Sequence, residues 1–275
     1  MKTRKKQKDG IIYLLLILGA FVMVFPFIWS FLTSFKNLGE TLKVPPQILP
    51  SLWDPVNYIT VWNKLPFLHF IWNTLLMMLI RMVVAVFISA MAAYAFARMS
   101  FPLKNFWFMV CLIPMMVPSQ IYILPQYLTV SSLHLNNTIL GLAIPGLAST
   151  FGIFLLRQFF MTIPNDLEEA AVLDGCNPCQ IFFRIMLPLV KSGLVSLAIF
   201  TALFAYKDLL WPLIVNTSTN KMPLSSGLAL MQGQYTTNYP ELMAGAMIAI
   251  IPILIIFLAF QKQFVEGIAT TGIKG

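Results

Sequence analysis

An all-α membrane protein with six spanning helices is the fold class this sequence predicts, and three observations carry it. Of its 275 residues, 59% are hydrophobic and only 10% are charged. Mean hydropathy is +0.81, far from the mix of a water-soluble domain. The apolar residues gather in six runs, each matching the roughly 20 residues that a helix needs to cross a hydrocarbon core about 30 Å thick. Each run is expected to be helical, because unpaired backbone amides are costly in lipid and a barrel would show short alternating segments instead.

The runs cover approximately residues 11–35, 70–97, 105–126, 137–160, 188–214 and 241–261. The first follows a basic tail with Lys2, Arg4, Lys5, Lys6 and Lys8, as a secretory signal would. A signal core has only about 7–15 residues before a small-residue cleavage site. This run is longer and ends in bulky Trp29, Phe31 and Phe35, so it reads as a retained span. Pro26, Pro114, Pro118, Pro125, Pro145 and Pro252 lie inside runs, where each removes a backbone donor and invites a kink.

Orientation follows from the basic residues. With the N-terminus cytoplasmic, the inner segments hold Lys2, Arg4, Lys5, Lys6, Lys8, Arg98, Lys104, Arg157, Arg184, Lys262 and Lys274. The outer ones hold only Lys36, Lys43, Lys64 and Lys221, which places both termini inside. The chain then divides into a cytoplasmic tail (1–10), one transmembrane domain (11–262) with a polar cytoplasmic loop (161–187), and a C-terminal tail (263–275). The net charge of +8 sits at the ends of apolar runs, which points to membrane orientation and not to nucleic acid.

The polar loop is the main interruption of an otherwise lipid-soluble chain. Asn165 is placed to cap a helix with Glu168 three residues on, and Asp166, Glu168 and Glu169 put negative charge at its positive end. Gly175 supplies the left-handed residue that ends it. A helix over 166–174 is about 13 Å long, marginal alone in water, and so expected to dock on something. Asn177-Pro178 opens a second short helix and Pro188 marks entry to the fifth span. Small Ala170 and Ala171 would let a partner approach the backbone, while Leu167 and Leu173 offer apolar knobs to a groove. A helix lying on lipid headgroups would be rich in Lys and Arg, whereas this one carries four acids, Asp174 being the fourth. Of the three cysteines, Cys176 and Cys179 form C-x-x-C in this loop. Neither His69 nor His134 falls in it, so reduced thiols and no metal site are expected.

The spacing E-A-A-x3-G-x9-I-x-L-P, complete at Glu169, Ala170, Ala171, Gly175, Ile185, Leu187 and Pro188, resembles the EAA signature of the membrane-spanning subunits of bacterial ABC importers. Phe35-Lys36, Trp211-Pro212-Leu213 and the ending Gln263-Phe264-Val265-Glu266-Gly267-Ile268 with Ile273-Lys274-Gly275 are similar to the maltose-type carbohydrate permeases. The likeness runs from the first span to the last residue. It implies a multi-pass permease in a bacterial cell membrane, paired with a homologous permease, two ATP-binding subunits and an extracytoplasmic sugar-binding protein. It also implies that the first loop helix is a coupling helix, with Leu167, Glu168 and Asp174 beside the motif residues. No G-x-x-x-x-G-K-[ST] occurs, so ATP and Mg would belong to the partner ATPase and no cofactor to this chain.

Charged residues within a bilayer cost about 2.5–3.5 kcal/mol each on insertion scales and usually face a cavity or a partner. Lys207 and Asp208 are therefore candidates for the substrate path, at a place where maltose-type permeases often carry Trp-Asn before the acid. The departure favours an anionic sugar. Phe200, Phe204, Lys207 and Trp211 follow the spacing of one helix face, suited either to sugar rings or to packing on the neighbouring permease. Arg81 is open between an ion pair with that partner and substrate contact, and Asn73, Gln120 and Tyr122 are further polar candidates. A membrane-embedded enzyme would want H-E-x-x-H or G-x-S-x-G, neither of which occurs. Permeases for polyamine, phosphate or amino acid share the EAA loop and remain the alternative, and an ATPase-independent transporter would leave the loop unexplained.

Overall fold

The structure, a computed structural model, describes the backbone of residues 2–233 and 236–272 and the side chains of residues 12–233 and 236–263. The side chains of the basic tail and of the ending beyond Gln263 lie outside the described residues, as do Ile273, Lys274 and Gly275 altogether. All regular structure among the described residues is helical.

In chain order the elements begin with α1 (Lys2–Ser34), α2 (Leu38–Thr41), α3 (Val56–Lys64) and α4 (Phe67–Arg98). Next, α5 (Lys104–Met116) is followed by a 3-10 turn (Ser119–Tyr122) that runs into α6 (Ile123–Ser132). The short α7 (Ile139–Ala143) and a 3-10 turn (Ile144–Gly146) precede α8 (Thr150–Met161). The polar loop forms α9 (Asp166–Leu173), α10 (Pro178–Gln180), a π-helical segment (Ile181–Met186) and α11 (Leu187–Leu189). Last come α12 (Lys191–Tyr206), α13 (Leu210–Val215), α14 (Leu224–Ala229) and α15 (Tyr239–Gly272).

Among the described residues three helices are long and apolar enough to cross a bilayer, and three bent pairs, each counted as one span, raise the number to six. The bends are 98° between α5 and the 3-10–α6 unit, 49° before α8, and 76° between α11 and α12. Pro118, Pro145 and Pro188 lie at or near these bends, where a missing N–H makes a break cheap.

The chain forms two compact units, Met1–Phe67 with Leu228–Ile251 and Leu68–Gly227 with Pro252–Gly275. In the first, the span within α1 is exposed at every residue from Ile12 to Ile28, an apolar surface that lipid covers without penalty. Beyond α1, Asn37 caps α2 by accepting from the Glu40 amide at 2.9 Å, and the Glu40 carboxylate accepts from the Asn37 amide at 3.3 Å. Buried Lys36 donates to the Gln47 carbonyl at 2.6 Å and lies 4.6 Å over the Trp29 ring. Burial pulls the Lys36 pKa down, with Glu40 opposing; the hydrogen bond from Ser51 chiefly holds the Glu40 carboxyl below its usual range. The Phe35-Lys36 signature thus organises the turn that follows the first span.

In the second unit, one core cluster gathers Ala90, Ala93, Leu156, Phe160, Phe182 and Met186 around the end of α4, and a second gathers Met77, Leu142, Ala205 and Trp211 higher on the same helix. The fifth predicted span, 188–214, departs from expectation. Its helix stops at Tyr206, and Lys207, Asp208 and Leu209 break it before α13. Phe200, Phe204, Lys207 and Trp211 therefore do not form a stripe on one helix. Polar anchoring of the Asp208 carboxylate by Arg81, and of its backbone carbonyl by Ser225, holds the break in a run that remains apolar by composition.

Candidate functional site

The polar loop folds as a helical hairpin. Gly175 has φ +78°, the left-handed conformation expected of it, and Asn177 caps α10 in a reciprocal capping box with Gln180, with Pro178 in the first turn. The expected cap at Asn165 is absent. That residue is helical, its side chain makes no capping bond, and Glu168 turns instead to Arg98. A charge-assisted bond to a guanidinium outcompetes a bond to one backbone amide.

The faces of α9 differ sharply. Ala171 is buried and packs in the core of its own chain, so of the alanine pair only Ala170 is open to a partner. Leu173 is 88% exposed, Val172 60% and Leu167 44%, and Glu169, Asp174 and Gly175 are exposed beside them. Ile185 and Leu187 are half-buried against the core, and Pro188 is exposed. The outer face of the hairpin is therefore an apolar patch rimmed by carboxylates. Cys176 and Cys179 are free, and no cluster of three or more metal-ligating side chains exists among the described residues.

A separate cleft of about 610 Å³ lies in the same unit. Gln120, Phe204, Lys207, Asp208 and Trp211 line it, joined by Arg81, Ser119, Gln126 and Gly146. Arg81, buried, bonds Asp208 at 2.8 Å and also the Leu142 carbonyl. An ion pair is thus made within the chain. Gly146 is required for it, since a Cβ there would stand 2.6 Å from Arg81 Cδ. Lys207 lies with its ammonium 5.0 Å over the Phe204 ring. With Arg81 and Asp208 neutralising each other, Lys207 leaves the cleft net positive. Trp211 donates through its indole N–H to the Gly141 carbonyl at 3.0 Å, so this member of the Trp-Pro-Leu signature fixes the cleft wall.

Two candidates fall elsewhere. Asn73 is buried and donates to the carbonyls of Asn220 and Met222 at 2.9 and 3.0 Å, tying α4 to the segment before α14. Tyr122 ends the 3-10 turn and does not line the cleft. Sequence reasoning missed Gln126 and Gly146 for want of any local signal. It also missed Arg98, whose place at the end of an apolar run read only as orientation.

Bent apolar helices, a polar hairpin with an exposed apolar face and a polar cleft amid candidate spanning segments are the features of a multi-pass transport permease. Residues 85–269 match the model of the binding-protein-dependent transport system inner membrane component, and the chain belongs to that family. Membership places it in the membrane and implies ATPase subunits and a substrate-binding protein as partners. Over its whole length it is 35% identical to the probable ABC transporter permease protein YurM of Bacillus subtilis, of which it covers 92%. It is 33% identical to the arabinooligosaccharides transport system permease protein AraQ of Halalkalibacterium halodurans, across 98% of this chain and 100% of that one. Among solved structures, a bacterial ABC transporter involved in the import of the acidic polysaccharide alginate has a chain that superposes with a TM-score of 0.80 over 95% of this chain and 98% of its own, at 22% identity. That likeness bears on the fold.

Proposed function

We propose that this chain is the permease subunit of an ATP-driven carbohydrate importer, with six spans and both termini in the cytoplasm. An extracytoplasmic binding protein delivers an oligosaccharide, a homologous permease completes the path, and one of two ATPase subunits seats the hairpin in its cleft. Closure of the ATPases moves α9 and, with it, the spans as a largely rigid body. The observation that carries this reading is the outer face of α9, where Leu173 stands 88% exposed between carboxylates with nothing among the described residues to cover it. The name of AraQ supports a carbohydrate substrate, as do the Phe35-Lys36 and Trp211 signatures.

The substrate path runs along the cleft, where the exposed Phe204 ring suits a sugar ring and Gln120, Gln126 and Lys207 suit hydroxyls or an acidic group. The test is reconstitution with the neighbouring gene products in proteoliposomes, followed by ATPase and uptake assays over a panel of neutral and acidic oligosaccharides delivered by the binding protein. Uptake of at least one carbohydrate supports the reading. Stimulation by polyamine, phosphate or amino acid alone reassigns the substrate.

A further inference from the structure

The first arm of the hairpin is bonded to the end of the spanning helix α4 by the Arg98 guanidinium, and we infer that Arg98 is the strut that passes hairpin motion into the membrane. Resting on the coupling role proposed above, the inference adds the residue through which force leaves the hairpin. Arg98 is the last residue of α4 and its side chain is 7% exposed. Its Nε donates to Glu168 Oε2 at 2.8 Å, Nη1 to the Ile163 carbonyl at 3.0 Å and Nη2 to the Pro164 carbonyl at 3.2 Å. Three bonds thus grip both α9 and the turn that leads into it, at angles a single-point ammonium cannot reproduce.

The bonds matter because of what α4 carries at its other end. Arg81 sits seventeen residues earlier on the same continuous helix, about 25 Å along its axis, held in the cleft by Asp208. Displacement of α9 pulls Arg98, and a rigid helix delivers that displacement to Arg81. The second arm of the hairpin is held to the same helix differently, by Tyr94 of α4 against Phe182 at a ring separation of 5.2 Å. Loss of Arg98 therefore removes the polar grip on the first arm, while Ala171 in the core and the Tyr94–Phe182 contact keep the hairpin folded against α4.

The experiment uses the assembled complex in proteoliposomes with saturating substrate and titrated binding protein. For Arg98→Gln, the ATPase still co-purifies, the half-saturating concentration of binding protein stays at the wild-type value, and maximal stimulation falls about ten-fold. Arg98→Lys recovers part of the loss. Glu168→Gln keeps a hydrogen-bonding oxygen and loses about three-fold, which decides the matter should Arg98→Gln fail to assemble. Leu173→Asp serves as the benchmark for the hairpin itself. Stimulation retained in Glu168→Gln and in any assembled Arg98→Gln complex, while Leu173→Asp abolishes it, overturns the strut and leaves the coupling hairpin standing. Retention in Leu173→Asp as well overturns the coupling reading.

Discussion

Leu173→Ala separates a docking residue from a folding one. At 88% exposure, Leu173 contributes little to its own chain, so truncation should change stability by no more than about 0.5 kcal/mol. Full burial of a leucine side chain in a partner's groove is worth about 1.5–3 kcal/mol. Losing about 2 kcal/mol of that weakens association roughly 30-fold, at 1.4 kcal/mol per decade. The assay is titration of detergent-solubilised permease with labelled ATPase subunit, beside thermal unfolding of the permease alone. A lowered melting temperature with unchanged ATPase affinity would refute the reasoning, because it would mean that Leu173 packs within its own chain.

Other perturbations test the cleft and the turn that follows α1. Asp208→Asn strands the buried Arg81 guanidinium and should cost about 3 kcal/mol of stability, read by chemical denaturation, with Arg81→Gln/Asp208→Asn recovering a part. Gly146→Val should displace Arg81, giving a loss of uptake at normal expression and a stability cost of about 1–3 kcal/mol. Lys207→Gln should raise the KM for an acidic oligosaccharide while leaving that for a neutral one within about two-fold. The Glu40 carboxyl is held below its usual range, so its contribution to stability is complete above the unfolded value and fades as pH falls through the folded one. Hydrogen exchange of the 36–51 segment should therefore quicken below about pH 4, and Glu40→Gln should remove that dependence.

Local signals were legible where local geometry decides. Gly175 and the Asn177-Pro178 cap announce the hairpin because a left-handed turn and a proline-led helix depend on a few neighbouring residues. The Arg98–Glu168 contact spans 70 residues of sequence, and it took Glu168 from the cap that spacing alone suggested. The break at Lys207 was hidden for the same reason. Its cause is Arg81, on another helix, while the run that contains it stays apolar from Pro188 to Ile214. Ala171 looked like part of a partner-facing pair with Ala170, and only packing shows that one of the two faces inward.

Site-specific photocrosslinking from position 173 in membranes expressing the whole transporter addresses the hairpin itself. An adduct with the mass of permease plus ATPase subunit would be captured if α9 seats in a partner. Adducts with lipid alone, or within the chain alone, in membranes where the complete complex can be isolated would contradict the coupling role.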